Sequence, residues 1–262
     1  MDATNFTDSL LIQTNSDGSA PSTGTLSSAA DNVGIGGGGV MSALTSGTRN
    51  VCIGHEAGKV ITSPSNNVFI GPQAGMAVTT SGVNVAIGDN ALMAHTTSGS
   101  GTDGYNVAIG PDALDSCSTG YQNTALGRDA GQKITTGYRN VSLGNACYGP
   151  VDGYKCIGIG YDAGVNNTSD NNVFIGSYAG DANTSGSSNT AIGKDALSAC
   201  TTNGTNTAVG ASAAQNITGP GNTCVGASTF NTSNTGSVSY THLRAHETRE
   251  ERGGGRGAGK KK

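Results

Sequence analysis

Two histidines, His55 and His95, are the first candidates for acid–base chemistry in this 262-residue chain. A histidine titrates near neutral pH, and with a serine or cysteine nucleophile and a carboxylate it completes a hydrolytic triad. The two histidines lie in different copies of the repeat defined below, and no serine or cysteine recurs beside them. The sequence therefore predicts no enzyme and no catalytic residue. We interpret both histidines as solvent-exposed turn residues.

Four aspartates recur two residues after a glycine, and they are the candidates for a metal site. Carboxylates on successive coils of a repeat protein can ligate Ca²⁺ together. However, no Gly-Gly-x-Gly-x-Asp calcium signature accompanies them, and aspartate also stabilises turns by bonding to its own backbone. The sequence thus favours turn residues and no metal site at these positions, which are Asp112, Asp129, Asp162 and Asp195.

Neither the cysteines nor a glycine run forms a cofactor-binding motif. The glycines at 36–39 are followed by no Lys-Ser or Lys-Thr pair, so they resemble a phosphate loop only superficially and indicate a flexible turn. The cysteines contain no Cys-x-x-Cys and have no paired histidines, which gives no support to a zinc site. We expect no cofactor and mostly reduced, buried thiols at Cys52, Cys117, Cys147, Cys156, Cys200 and Cys224.

Threonine pairs recur in the unit and raise an ice-binding hypothesis, in which a flat array of hydroxyls orders water. Adjacent threonines on a strand face opposite sides, and most of these pairs lead into a glycine turn. Hydroxyl bonding at a turn is therefore the alternative interpretation. The pairs are Thr79 with Thr80, Thr96 with Thr97, Thr135 with Thr136, and Thr201 with Thr202.

The composition limits the elements that position these residues. The chain has 43 glycines, only 12% charged residues and no tryptophan. Residues 1–237 hold 7 Lys and Arg against 15 Asp and Glu (net −8), and only Glu56 among these acids is a glutamate, so helix should be scarce. An acidic body offers no stripe for neutralising phosphates, so we expect no nucleic-acid partner. No secretory signal or membrane-length apolar run is recognisable, which predicts no membrane insertion.

The basic tail differs from the rest of the chain. Residues 238–262 hold 7 Lys and Arg against 3 Asp and Glu (net +4). Residues 238–248, Val-Ser-Tyr-Thr-His-Leu-Arg-Ala-His-Glu-Thr, match the translation of a transposase-type sequencing adaptor. We interpret residues 237–262 as adaptor read-through rather than native protein, which implies a truncated chain. A natural basic tail that binds nucleic acid or membrane is the alternative.

The body, residues 32–236, is one short unit repeated twelve times, and residues 1–31 form a leader with one short apolar strand near residues 9–13. Each unit reads Asn-Val-Ala-Ile-Gly-x-Asp-Ala and then turns back to Asn, mostly at intervals of 16 to 18 residues. Counting that Asn as position zero, position four is always glycine, which supplies a positive φ or room for close backbone approach. These glycines are Gly36, Gly54, Gly71, Gly88, Gly110, Gly127, Gly144, Gly160, Gly176, Gly193, Gly210 and Gly226.

A β-branched run bounded by Asn and Gly predicts a short strand, and stacked units give each strand a parallel neighbour. The fold class is therefore all-β, a parallel β-solenoid of about twelve short repeats, with an asparagine amide ladder at position zero. We expect a strand on each side of the coil, and alanine at position seven to line a narrow interior on the return strand. We expect positions one and three to form the core. Position two then faces outward as an apolar stripe, which predicts packing against other copies of the chain.

The units Asn84-Val85-Ala86-Ile87-Gly88 and Asn106-Val107-Ala108-Ile109-Gly110 resemble the head repeats of YadA-type trimeric autotransporter adhesins, which also occur in phage and viral fibre proteins. The resemblance covers residues 32 to about 236. It implies a left-handed parallel β-roll in each chain, a side-by-side homotrimer, and a role in adhesion or host attachment. The units are longer than the adhesin repeat, which adds length to the turn. The lack of a recognisable signal peptide, stalk or anchor favours a phage or virus tail fibre over a bacterial adhesin.

The expected function is therefore non-enzymatic attachment to a host or cell surface, on a virion or a cell. The partners are copies of the chain itself and a cell-surface glycan or protein receptor, and a passive spacer is the alternative. Recognition is expected where the unit departs from its period, since irregular loops on a rigid scaffold carry binding residues. Such segments lie at 98–105 and 145–155, and the candidate recognition loop contains Ser98, Gly99, Ser100, Thr102, Asp103 and Tyr105.

Overall fold

The computed structural model describes residues 28–96, 104–145 and 153–230, together with two short strands nearer the N-terminus. The tail at 237–262 lies outside these residues. The described chain contains strands and turns and no helix, as the composition predicts. The strands are β1 (Phe6–Thr7), β2 (Leu10–Thr14), β3 (Ala29–Ala30), β4 (Val33–Gly37), β5 (Val51–Ile53), β6 (Val68–Ile70), β7 (Val85–Ile87), β8 (Val107–Ile109), β9 (Thr124–Leu126), β10 (Val141–Leu143), β11 (Ile157–Ile159), β12 (Val173–Ile175), β13 (Thr190–Ile192), β14 (Thr207–Val209) and β15 (Thr223–Val225).

One parallel sheet runs the length of the described chain and confirms the predicted β-solenoid. Its thirteen strands follow the order of the sequence from β2 and β4 to β15. Equivalent residues stand side by side, so Val85 pairs with Val107 and Ile87 with Ile109. Strand β2, in the leader, pairs with β4 and extends the sheet by one rung, while β1 pairs with β3 in a separate two-stranded sheet.

The return side of each coil is a series of turns, so the predicted second strand is wrong. Positions six and eight adopt left-handed backbone, as at Asp112 (φ 56°) and Leu114 (φ 51°), and the residue before position zero does the same. Alternating handedness bends the chain too tightly for a strand. The turns still bond between coils, because the Leu114 N–H donates to the Ala130 carbonyl at 3.0 Å.

The core lies on the opposite side of the sheet from the one we predicted. Position two points inward, where Cys52, Phe69 and Ala86 are fully buried. Positions one and three point outward and remain partly exposed. Strand alternation fixes which positions share a face but not which face is enclosed. The narrow interior is confirmed at position seven, where all nine alanines are buried, although on a turn rather than a strand.

In some coils of this narrow core, side-chain sizes at positions two and eight compensate for one another. Where position two is Phe174, position eight of the same coil is Gly180, and a Cβ there would lie within 3.0 Å of the phenylalanine ring. Where position two is Ala191, position eight is the fully enclosed Leu197. Close packing in protein interiors forces such volume exchange. The repeat is therefore uniform in backbone and variable in side-chain volume.

Both predicted reasons for glycine at position four, a positive φ and close backbone approach, are confirmed. All twelve have a φ between +121° and +156°. A Cβ on Gly88 would also lie 2.5 Å from the carbonyl oxygen of Gly110, the equivalent glycine of the next coil. The glycines thus pack backbone against backbone along the solenoid.

The predicted asparagine ladder is present at position zero and connects three chain segments. The Asn123 N–H donates to Asn106 Oδ1 at 3.0 Å, and its Nδ2 donates to the Gly137 carbonyl at 2.8 Å. The Asn140 N–H donates in turn to Asn123 Oδ1 at 3.0 Å. The side chain of Asn123 therefore bonds to the start of the next strand and to the segment just before it, at the end of its own coil. Cys156 interrupts the ladder and accepts the Asn172 N–H on its sulfur at 3.5 Å.

Candidate recognition surface

The two histidines lie apart, and one prediction about them is wrong. His55 is exposed, with Nδ1 3.9 Å from a Glu56 carboxylate oxygen. His95 is instead fully buried, with Nε2 3.1 Å from Ser81 Oγ. It occupies a core column that is mostly apolar, with Ile61 and Val78 in the two preceding coils and buried Asn167 and Asn183 in later ones. That column was the sequence signal for its burial.

The four aspartates serve the turns. All have left-handed backbone, at φ 53° to 56°. Short polar side chains tolerate this conformation well. Asp112 accepts a hydrogen bond from Asn90 Nδ2 at 3.0 Å, and Asp195 pairs with the adjacent Lys194. In the described ranges, no group of three or more His, Cys, Asp and Glu side chains is arranged to hold a metal ion.

The five cysteines within the described residues are buried and free, as predicted. Burial raises the pKa of the Cys117 thiol to about 12 and also raises that of Cys52. A thiol with a raised pKa carries little thiolate at neutral pH and is a poor nucleophile. These cysteines therefore pack the core. Cys147 lies outside the described residues.

Within the threonine pairs, Thr96 Oγ1 donates to the Ser118 carbonyl of the next coil at 3.3 Å, and Thr97 lies outside the described residues. Equivalent residues in other coils form the same type of bond. Thr62 Oγ1 donates to the Thr79 carbonyl of the next coil at 2.9 Å. Thr184 Oγ1 donates to the Thr201 carbonyl at 2.9 Å in the same way. These hydroxyls donate to carbonyls of the next coil and therefore do not form a flat array that orders water.

The outward face of the sheet is a continuous apolar surface, which we call the outer ladder. It consists of positions one and three on strands β4–β15, where only valine, isoleucine, leucine and threonine occur. Ile35, Leu126 and Ile192 expose 36%, 50% and 37% of their area. Its eleven steps at about 4.8 Å give it a length of roughly 50 Å. It replaces position two as the apolar stripe inferred from the sequence.

Most of the candidate recognition loop, including Ser98, Gly99, Ser100, Thr102 and Asp103, lies outside the described residues. Tyr105, the last residue of that loop, is exposed over 54% of its area. Gly104 already belongs to the coil, because its carbonyl accepts the Gln122 N–H at 2.9 Å. The irregular segment therefore ends just before the corner that leads into β8.

Three tyrosines form a stack at this same corner, which the sequence analysis missed. Tyr121, Tyr138 and Tyr154 stand two residues before position zero in successive coils. Their ring centroids are 4.8 and 5.0 Å apart, and the rings are parallel to within 2° and 8°. We call this stack the tyrosine ladder. Its signal was the recurrence of Tyr at intervals of 17 and 16 residues, within the part of the unit that varies most.

Charged residues flank the tyrosine ladder. Arg139 and Lys155, which directly follow Tyr138 and Tyr154, lie 5.8 and 5.5 Å from the centroids of those rings. Asp170 holds the corresponding corner of the next coil and accepts the Tyr154 N–H at 3.0 Å. Its negative charge, together with a hydrogen bond, raises the pKa of the Tyr154 hydroxyl. The irregular segments before Gly104 and Gly153 both return to the coil at this corner.

No family model, curated protein or solved structure matches this chain. Among the residues that the structure describes, no helix is long and apolar enough to cross a membrane.

Proposed function

We propose that this chain is a non-enzymatic attachment protein in which three left-handed β-solenoids pack side by side as a homotrimer, in the manner of a phage or viral tail fibre. The observation that carries the proposal is the outer ladder. Soluble monomers rarely expose a long contiguous apolar surface, and burial stabilises it by about 25 cal/mol per Å². A second copy of the chain is the natural occupant, because it presents the same rungs at the same spacing.

Recognition is assigned to the corner that precedes the strands. A rigid scaffold with irregular segments at one corner is the usual arrangement for a binding protein. The partner is a cell-surface glycan or protein receptor, and the location is a virion or a cell surface. A bacterial adhesin head would use the same surfaces. A passive spacer would need the outer ladder but not the irregular segments.

Ice binding receives no support from the outer ladder. Position one is threonine only at Thr124, Thr190, Thr207 and Thr223, and position three is always aliphatic. The outward pattern is thus Thr-x-Val or Thr-x-Ile at most of these rungs and Val-x-Ile at many others. Such a surface is suited to packing against protein.

The homotrimer predicts a specific response to charge on the outer ladder. We expect Ile87→Lys/Ile109→Lys to convert a species of three times 25.9 kDa into a monomer, because two unpaired ammonium groups would be buried at the interface. Light scattering coupled to size-exclusion chromatography measures the mass, and circular dichroism checks the fold. Ser116→Lys, in an exposed turn, is the control and should remain trimeric. A wild-type monomer would overturn the homotrimer.

The attachment role predicts a response to shortening the irregular segment. The interval from Asn84 to Asn106 is 22 residues, and deleting the five residues 98–102 restores the common interval of 17. We expect the trimer to persist, because the coil keeps Gly104 and the repeat interval. We expect binding to the host cell surface to fall at least tenfold, because the extra residues of the irregular segment are lost. Flow cytometry with labelled protein measures binding. Replacing residues 98–102 by Gly and Ser at equal length separates side chains from length. Unchanged binding by both variants would favour the spacer.

A further inference from the structure

We propose that the tyrosine ladder is a binding site for an acidic polysaccharide that lies along the solenoid axis, with one anionic group held between Arg139 and Lys155. This inference rests on the proposed attachment function and specifies the ligand class and the site. The three elements of the site are a stack of aromatic rings, a pair of cations on neighbouring rungs, and a ring face at one end where the equivalent residue of the preceding coil is a glycine.

The ring stack offers a repeating row of polar and apolar edges. Since Tyr121, Tyr138 and Tyr154 cover one another's faces at 4.8 and 5.0 Å, a ligand meets the ring edges and hydroxyls, one set per coil. This spacing is close to the length of one sugar residue in an extended chain. Phenol hydroxyls both donate and accept hydrogen bonds, as sugar hydroxyls require.

One end of the stack leaves an aromatic face for a sugar ring. The residue equivalent to Tyr121 in the preceding coil is Gly104, which has no side chain to stack on it. The neighbouring Tyr105 is the most exposed large hydrophobic residue among the described ones, at 54%. Both residues directly follow the irregular segment at 97–103, which the proposed function assigns to recognition.

The cations next to the stack are arranged for a ligand rather than for stability. Arg139 and Lys155 occupy the same position on neighbouring rungs, and like charges in register destabilise a stacked fold. Lys59, Arg128 and Lys194 each pair with a carboxylate. In the ranges that the structure describes, Arg139 and Lys155 form no such pair. Two adjacent cations without a salt-bridge partner, beside aromatic rings, fit an anionic group on a ligand.

The charge of the body favours a sparsely charged polyanion over a nucleic acid. Residues 1–237 carry a net charge of −8, from 7 Lys and Arg against 15 Asp and Glu. A nucleic acid carries a phosphate at every nucleotide and needs many neutralising contacts. An acidic polysaccharide with neutral sugars between its carboxylates needs only the two cations present.

The test compares hyaluronan with uncharged dextran on the full 262-residue chain. The chain has no tryptophan, so its intrinsic fluorescence reports tyrosine directly and gives the Kd by titration. We expect hyaluronan to bind at least tenfold more tightly than dextran. We expect Arg139→Gln/Lys155→Gln to weaken hyaluronan binding at least tenfold. Glutamine suits this position, since Gln122 occupies it in the preceding coil at φ 57°.

Arg49→Gln is the matched control, because Arg49 has the same place in its coil without a tyrosine before it. Its φ is 57° against 59° for Arg139, and its Nε donates to Asn66 as that of Arg139 donates to Gln122. This variant should bind hyaluronan like the wild type. Tyr138→Phe should retain most binding and Tyr138→Ala should lose it, because only the latter removes the middle ring.

Three results would overturn the inference: equal binding of dextran, unchanged hyaluronan binding by the double variant, or tighter binding of oligothymidylate than of hyaluronan at the same salt concentration. The last would assign the site to nucleic acid. Full attachment of the double variant to host cells would overturn the inference and leave the proposed function standing. Hyaluronan binding by a chain that is monomeric and does not attach to cells would overturn the proposed function alone.

Discussion

Replacing Gly88 by alanine is expected to destabilise the solenoid by at least about 3 kcal/mol. The φ of +137° lies in a region that side chains strongly disfavour, at a cost of about 1–3 kcal/mol. The new Cβ would also lie 2.5 Å from the Gly110 carbonyl oxygen, so β7 and β8 must separate at this end. That separation weakens the bond from the Gly110 N–H to the Ile87 carbonyl, now 2.8 Å long. Urea denaturation followed by circular dichroism, at one fixed protein concentration, measures the loss.

Gly226→Ala separates the two causes of this effect. Gly226 follows β15, the last strand of the described sheet, and has a similar φ of +121°. Among the described residues no later glycine stacks on it, so the contact of Gly88 with Gly110 has no counterpart there. We expect Gly226→Ala to cost about 1–3 kcal/mol, clearly less than Gly88→Ala. Equal losses would mean that close approach contributes nothing to the choice of glycine.

The sequence predicted the stacking direction and register of this fold, and the glycine after each strand, because each of them recurs in every unit. Asn at position zero and Gly at position four bracket each strand, and the strands form between them. Every coil requires the same backbone conformation at the position-four glycine, so the same residue type recurs there in every unit. The amide ladder through Asn123 was predictable for the same reason.

The sequence did not reveal which face of the strand is enclosed. Val85 and Ile87 are larger and more regular than Ala86, and regular aliphatic residues resemble a core. The turns determine which face is enclosed, because their left-handed residues bring the alanines of position seven against position two. Left-handed backbone at Leu114 is not apparent from residue type, because leucine rarely adopts it.

The recognition surface was only partly predictable from the sequence. Irregular segments were visible as changes in period, and the loop ending at Tyr105 was found in this way. The tyrosine ladder was missed because its column falls in the part of the unit where Thr48, Gly82 and Asp170 also occur. A column with mixed residue types has no structural requirement of its own. Its local run of Tyr121, Tyr138 and Tyr154 is therefore a feature that the fold does not explain.

Exchanging the large and small residues of one coil is expected to restore most of the stability that either change removes alone. Phe174→Ala should cost about 3–5 kcal/mol, because it empties a fully enclosed site. Gly180→Leu should cost at least as much, because its Cβ would lie within 3.0 Å of the Phe174 ring. The double variant reproduces the pair found at Ala191 and Leu197 and should lie within about 2 kcal/mol of the wild type. A double-mutant cycle from urea denaturation midpoints measures the coupling.

The backbone at position eight makes this exchange a test of volume alone. Gly180 has a φ of 59°, and Leu197 adopts 53° at the same position of the next coil, so leucine enters a conformation that this solenoid already imposes on it. Gly164 also faces the Phe174 ring from the preceding coil, and it leaves a small residual cavity in the double variant. Pairing Phe174→Ala with Ala182→Leu, in a partly exposed turn two residues away, should give no recovery. Additive losses in the Phe174 and Gly180 pair would show that backbone geometry, and not shared volume, selects the residue at position eight.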